Sequence, residues 1–166
     1  MYTNNKVGNV IYKVIEYFGD DVRRINHFLK VYGYVKMIGE CENLDDSMQE
    51  ILEVTAVLHD VGIKVAEQKY NSSAGHYQQL EGPPVAKKIL DELGYPDDFV
   101  ERVMYLIAHH HTYTNIDGMD YQILVEADFL VNLYEDSVPK AAAQNALDKI
   151  FKTQTGKTIC KEMFVL

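Results

Sequence analysis

The sequence predicts an all-α bundle built as one domain. Three observations carry that prediction. Apolar residues recur with a period near 3.6 along almost the whole chain. The alternation expected of a half-buried strand is nearly absent. The chain has 166 residues, 47% of them hydrophobic, which suits one core, with no repeat, low-complexity tract or evident linker.

Taken in order, helices are expected over about 5–18, 21–41, 46–60, 82–93, 97–110, 119–135 and 138–152. Asp45, Asp97 and Ser137 stand where N-cap oxygens would accept the first free backbone N–H groups. Pro96 and Pro139 fall near helix starts, where a missing N–H costs little. Gly94, before "YPDD", is a helix stop. Two stretches resist the pattern. Residues 62–84, "GIKVAEQKYNSSAGHYQQLEGPP", are long for a structureless loop, so the segment is either functional or partly helical. Residues 111–118, "HTYTNIDG", form the other. Both follow a histidine-bearing helix end, which makes them candidate walls of a pocket.

Composition excludes several classes. No run approaches the roughly 18 apolar residues of a membrane span. "MYTNNKVGNVIYK" lacks the basic and apolar order of a signal peptide. Cys41 and Cys160 make neither a disulfide framework nor a zinc ribbon, so a reducing, cytoplasmic setting is expected. A formal net charge of −9 argues against nucleic-acid polymers as partners. A small anionic substrate remains open if a cation offsets the field.

Polar residues on apolar stripes mark the chemistry. His27 shares a helical face with Val31, Tyr34, Val35 and Ile38. Asp128 sits among Tyr121, Leu124, Val125 and Val131. The stripe of Val100, Val103, Met104 and Ile107 continues onto His110 and His111, whereas His109 falls with Arg102 and Tyr105. "VTAVLHDVGIK" carries an apolar helix straight into His59 and Asp60, with Gly62 as an exit from the helix. One inward histidine is as a rule a hydrogen-bonded core residue. A buried carboxylate needs compensation by a basic side chain, a proton or a metal. Two imidazoles and two carboxylates directed into one bundle suit Mn, Fe, Co, Ni, Mg or Zn.

"RRINHFLKVY", "AVLHDVGIK", "LIAHHHT" and "ILVEADFLVN", in this order over about residues 23–132, resemble the HD-domain superfamily of metal-dependent phosphohydrolases. The chain is most similar to small stand-alone HD proteins, with 138–166 as a C-terminal helical extension. The resemblance implies that His27, His59, Asp60 and Asp128 bind one divalent metal. His110 and His111 match the His-His element that serves a second metal or an outer contact. The family's other extra histidine falls at Glu81-Gly82, where this chain has none. Glu81 would replace it, orient a water, or simply favour a helix start. Alarmone hydrolases carry Glu-Asp where this chain has Ile63-Lys64. Cyclic-dinucleotide enzymes carry Gly-Tyr-Pro where it has Met119-Asp120.

The activity so implied is hydrolysis of a phosphate ester of a nucleotide or other small metabolite by a metal-activated water. Asp60, Lys64 and His110 are the expected catalytic groups. Lys64, Lys69, Tyr70, Ser73, His76 and Arg24 are the expected substrate contacts, and Asn132 would support Asp128. Tyr70, Tyr77 and Tyr113 are candidates to stack on a base. The alternatives are a non-hydrolytic metal or nucleotide sensor and a di-iron oxygenase on a related fold. The apolar end, Met163 to Leu166, is expected to pack on the bundle or on a second copy of the chain.

Overall fold

Nine α-helices make up residues 6–166, the part of the chain that the computed structural model describes. Asn5, the expected first residue of the first helix, and the rest of the 1–5 segment lie outside the described residues. The order is α1 (Lys6–Phe18), α2 (Val22–Cys41), α3 (Asp46–Leu58), α4 (Gly62–Tyr70), α5 (Gly75–Glu92), α6 (Asp97–His109), α7 (Met119–Glu135), α8 (Lys140–Lys149) and α9 (Gln154–Phe164). Among the described residues there is no strand, and no helix is long and apolar enough to cross a membrane.

The start and stop signals work at some ends and not at others. Asp45 caps α3 by accepting from Met48 N at 2.9 Å. Gly94 ends the α5 segment at φ +74°, a conformation that favours glycine. Asp97 is the first residue of α6 rather than its cap, because Pro96 takes that position. Ser137 is not a cap either: it adopts φ +51° just after α7, and Pro139 precedes α8.

Three helical stretches exceed the expectation. The open segment 62–84 is helical almost throughout, as α4 and the first half of α5. Pro83 and Pro84 lie inside α5 rather than at its start. Gly62 opens α4 instead of releasing the chain from α3. Its role is close approach: a Cβ there would lie 2.6 Å from Gln78 O and 2.7 Å from Gly82 N. The expected 138–152 helix stops at Lys149, and α9 follows it.

Helix α3 is the axis of the bundle. Every residue from Leu52 to Leu58 is buried. Leu52 and Ala56 join one apolar cluster with Val35, Ile38, Leu124 and Leu130. Val54, Val57 and Leu58 join the other with Val10, Val14, Leu90 and Val103. Whatever follows Leu58 is therefore delivered into the interior.

The C-terminal helices fold back on this frame. Phe164 and Leu166 pack, partly buried, against the first cluster. The anchor is Glu126, fully buried on α7. Its carboxylate accepts from Lys152 N (2.6 Å), Thr153 N (2.9 Å), Thr153 Oγ1 (2.5 Å) and Gln122 Nε2 (2.7 Å). Glu126→Ala strands these donors in a dry pocket. It is expected to cost about 3 kcal/mol, seen as a fall in Tm of roughly 6–12 °C for a chain of this size. A Tm unchanged to within about 2 °C would show that this anchor does not hold the terminus.

Candidate metal centre

Four ligand atoms from three parts of the bundle meet at the end of α3. His27 comes from the buried face of α2, His59 and Asp60 from the turn after α3, and Asp128 from the middle of α7. His27 Nε2 lies 3.3 Å from His59 Nε2, 3.2 Å from Asp128 Oδ1 and 3.4 Å from Asp60 Oδ2. His59 Nε2 lies 3.4 Å from Asp60 Oδ2 and 3.5 Å from Asp128 Oδ1. Donors held about 2.1 Å from one cation stand about 3.0–3.4 Å apart, so the spacing fits a shared divalent ion.

The surroundings aim these atoms. His59 Nδ1–H donates to Ala56 O at 2.7 Å, and His110 Nδ1–H donates to Ile107 O at 2.7 Å. His27 Nδ1–H donates to Glu135 Oε2 at 2.9 Å, while Lys30 Nζ holds Glu135 Oε1 at 2.9 Å. Each partner only accepts, so each ring, when neutral, carries its proton on Nδ1 and turns the Nε2 lone pair inward. Asn132 Nδ2 donates to Asp128 Oδ1 at 2.9 Å. Lone pairs and carboxylates facing one another repel unless positive charge lies between them.

That demand is visible in the titration. Burial alone would lower His59, but Asp60 and Asp128 hold its pKa up to about 9. His27 is likewise raised despite burial, chiefly by its hydrogen bond to Asp128. Burial would raise both carboxylates, yet the facing histidines hold Asp60 and Asp128 below the usual range. A raised imidazole pKa stabilises the metal-free fold fully below the unfolded value of about 6.5 and loses that contribution as pH rises through about 9. A metal needs the neutral ring, so protons compete with it in this window. Divalent-metal affinity measured by calorimetry is therefore expected to rise from about pH 6.5 to 9, with proton release. A flat profile would contradict it.

A second set of donors shares Asp60. His110 Nε2 is buried, has no hydrogen-bond partner among the described residues, and lies 3.6 Å from Asp60 Oδ1. Asp60, His110 and His111 together offer ligand atoms within 4.8 Å of one another. His111 Nε2 is 3.2 Å from Gln78 Oε1. Burial and the neighbouring His110 lower the His111 pKa to about 4. The backbone N–H of His111 and the Thr112 hydroxyl both donate to Gln79 Oε1.

His27, Asp60, His111 and Asp128 line a cavity of about 560 Å³, whereas His59 and His110 lie behind them. Of the expected substrate contacts, Arg24 and Ser73 line it. Arg24 is already engaged by Asp21 (2.7 Å) and Glu67 (2.6 Å). The others are held elsewhere. Lys64 Nζ donates to Tyr17 O at 2.8 Å and sits over the Tyr17 ring. Lys69 and the Tyr70 hydroxyl both bind Glu81 at 2.7 Å, with Lys69 and Glu81 on a separate groove beside α1. His76 packs on Tyr77. The cause is that this segment is helical: α4 directs Lys64, Lys69 and Tyr70, and the start of α5 directs His76, away from the metal ligands. Glu81 therefore does not stand in as a ligand in this arrangement. Glu135 and Gln78 are the participants the sequence reasoning missed. Glu135 had a signal, since it follows Asp128 by seven residues on one helix face.

Fold and centre together define an all-helical protein with a histidine–aspartate site suited to a divalent cation. The chain belongs to the HD domain family, whose model matches residues 24–152. That family is one of metal-dependent hydrolases. A crystal structure of a predicted HD superfamily hydrolase from an uncultured Thermotogales bacterium is similar over 94% of this chain and 83% of its own, with a TM-score of 0.67. At 23% identity that likeness is one of fold. No functionally curated protein matches the chain.

Proposed function

We propose that the chain is a metal-dependent phosphohydrolase that releases phosphate from a small phosphorylated metabolite. The observation that carries this is the convergence of His27, His59, Asp60 and Asp128, three of which line the cavity, with His110 Nε2 close to Asp60. His27, His59, Asp60 and Asp128 would hold the divalent cation. When bound, it supplies Lewis acidity, lowering the pKa of a coordinated water and screening phosphate charge.

The chain's own groups supply the rest. Asp60, whose Oδ1 stands 3.6 Å from His110 Nε2, orients the attacking water. His110 Nε2 takes the proton that the water gives up. The water oxygen bonds to phosphorus, the ester P–O bond breaks, and the proton returns to the leaving alcohol oxygen. Glu135 and Asn132 keep His27 and Asp128 in place throughout. A di-iron oxygenase would need a fuller second ligand set, and Glu81, the substitute for its missing histidine, is bound to Lys69 and Tyr70.

The test is a phosphate-ester panel on protein loaded in turn with Mn, Fe, Co, Ni, Mg and Zn. Release of inorganic phosphate with at least one metal is expected. Silence across all esters and metals would sink the proposal, and tight ligand binding without turnover would favour a sensor.

A further inference from the structure

The cavity wall has a chemistry of its own, and it discriminates among phosphate esters. Ile63 is the one aliphatic lining residue among those described, and neither a tyrosine nor a phenylalanine lines the cavity. None of the three tyrosines expected to stack on a base lines the cavity. Tyr70 stacks on Tyr77 with centroids 4.1 Å apart, and Tyr113 packs edge-on against Phe129 at 5.1 Å. A nucleobase therefore finds no apolar platform, although the volume would admit one. The wall is polar instead. Ser73, Gln78, Asn132 and Asp136 offer hydroxyl, amide and carboxylate groups, the partners that sugar hydroxyls need.

Charge narrows the choice further. Asp21, Asp60, Asp128, Glu135 and Asp136 all line the cavity. Against them stand Arg23 and Arg24. Arg24 is neutralised by Asp21 and Glu67, as Lys64 is held by a carbonyl and Lys69 by Glu81. Arg23 makes no hydrogen bond or ion pair with any described residue. One uncommitted guanidinium matches one phosphate, whereas a polyphosphate would face the carboxylates unscreened.

We propose that the site takes the phosphate monoester of a small polyhydroxylated compound, a sugar or polyol phosphate, in preference to a nucleotide, and that Arg23 receives the phosphate. This rests on the phosphohydrolase proposal above. Arg23 lies one helical turn before His27 on α2, so it reaches the same cavity from the rim. Asp136 and Asn132 stand on the α7 side, placed to accept hydroxyl hydrogen bonds from the alcohol portion.

Protein loaded in turn with Mn, Fe, Co, Ni, Mg and Zn is given ribose 5-phosphate, glucose 6-phosphate and glycerol 1-phosphate beside AMP and dAMP, and phosphate release is followed. The best sugar or polyol ester should exceed both nucleotides in kcat/KM by about tenfold or more. Nucleotides cleaved as well or better would overturn the substrate class and leave the hydrolase standing. No release from any ester would overturn both. Arg23→Ala should raise KM for the best ester by about 10- to 100-fold, with kcat changed far less. Arg23→Lys should recover part of the loss, and both variants should bind metal like the parent. A kcat/KM for Arg23→Ala within about twofold of the parent would overturn the assignment of Arg23.

Discussion

Asp60→Ala is expected to abolish phosphate release and to weaken divalent-metal binding by more than about 100-fold. Asp60 is the residue common to both donor sets. Its Oδ2 stands 3.4 Å from the Nε2 atoms of His27 and His59, and its Oδ1 stands 3.6 Å from His110 Nε2. Removing an outer partner of a metal ligand typically costs about 10- to 100-fold in affinity, so removing a ligand itself should cost more. The loss extends to water orientation, which Asp60 Oδ1 provides in the proposed reaction. The variant should still fold, because Asp60 belongs to neither apolar cluster. A folded Asp60→Ala protein that keeps more than about a tenth of the parent activity would break the proposed mechanism.

Gly62→Ala is expected to cause a large loss of stability, because the added methyl meets backbone rather than side chain. A Cβ at this position would lie 2.6 Å from Gln78 O, 2.7 Å from Gly82 N and 2.9 Å from Gly82 Cα. All three are backbone atoms of α5, so no rotamer change relieves the contact. Overpacking commonly costs about 1–3 kcal/mol, and a backbone clash belongs at the upper end. The expected fall in Tm is roughly 6–12 °C. Metal affinity should fall with it, since moving α4 shifts Asp60 two residues upstream. Gly33→Ala is the control: its Cβ would meet nothing within 4 Å on α2, and it should stabilise by about 0.5–1 kcal/mol. Equal melting temperatures for the two variants would refute the packing account.

What was legible in the sequence follows from where burial is periodic. His27 and Asp128 stand on regular apolar stripes, so both the stripe and its polar exception could be read. His59 and Asp60 were legible because the run before them is buried on all sides. Helix α4 was not, because Gly62, Ile63 and Ala66 are its only buried residues and, Val65 apart, the rest is polar. Pro83 and Pro84 hid the first half of α5, which continues through them. Helix α9 buries little besides Gly156 and Cys160, and it is positioned by the distant Glu126 rather than by its own pattern. These omissions had a chemical consequence. Read as loop residues, Lys64, Lys69 and Tyr70 looked like phosphate ligands. Folded into α4, they bind Tyr17 O and Glu81. Arg23 and Arg24 are neighbours in the sequence, and of the two only Arg24 is expected there to touch substrate. Only the commitments of Arg24 to Asp21 and Glu67 separate them.

Every chemical step above depends on imidazole and carboxylate atoms from α2, the turn after α3, and α7 gripping one cation together. Elemental analysis of purified protein, reloaded with a divalent metal and freed of excess, tests this most directly. About one tightly held ion per chain is expected, lost when His27 or Asp128 is replaced by alanine. A wild-type chain that retains no metal, or variants that retain as much as wild type, would contradict the account.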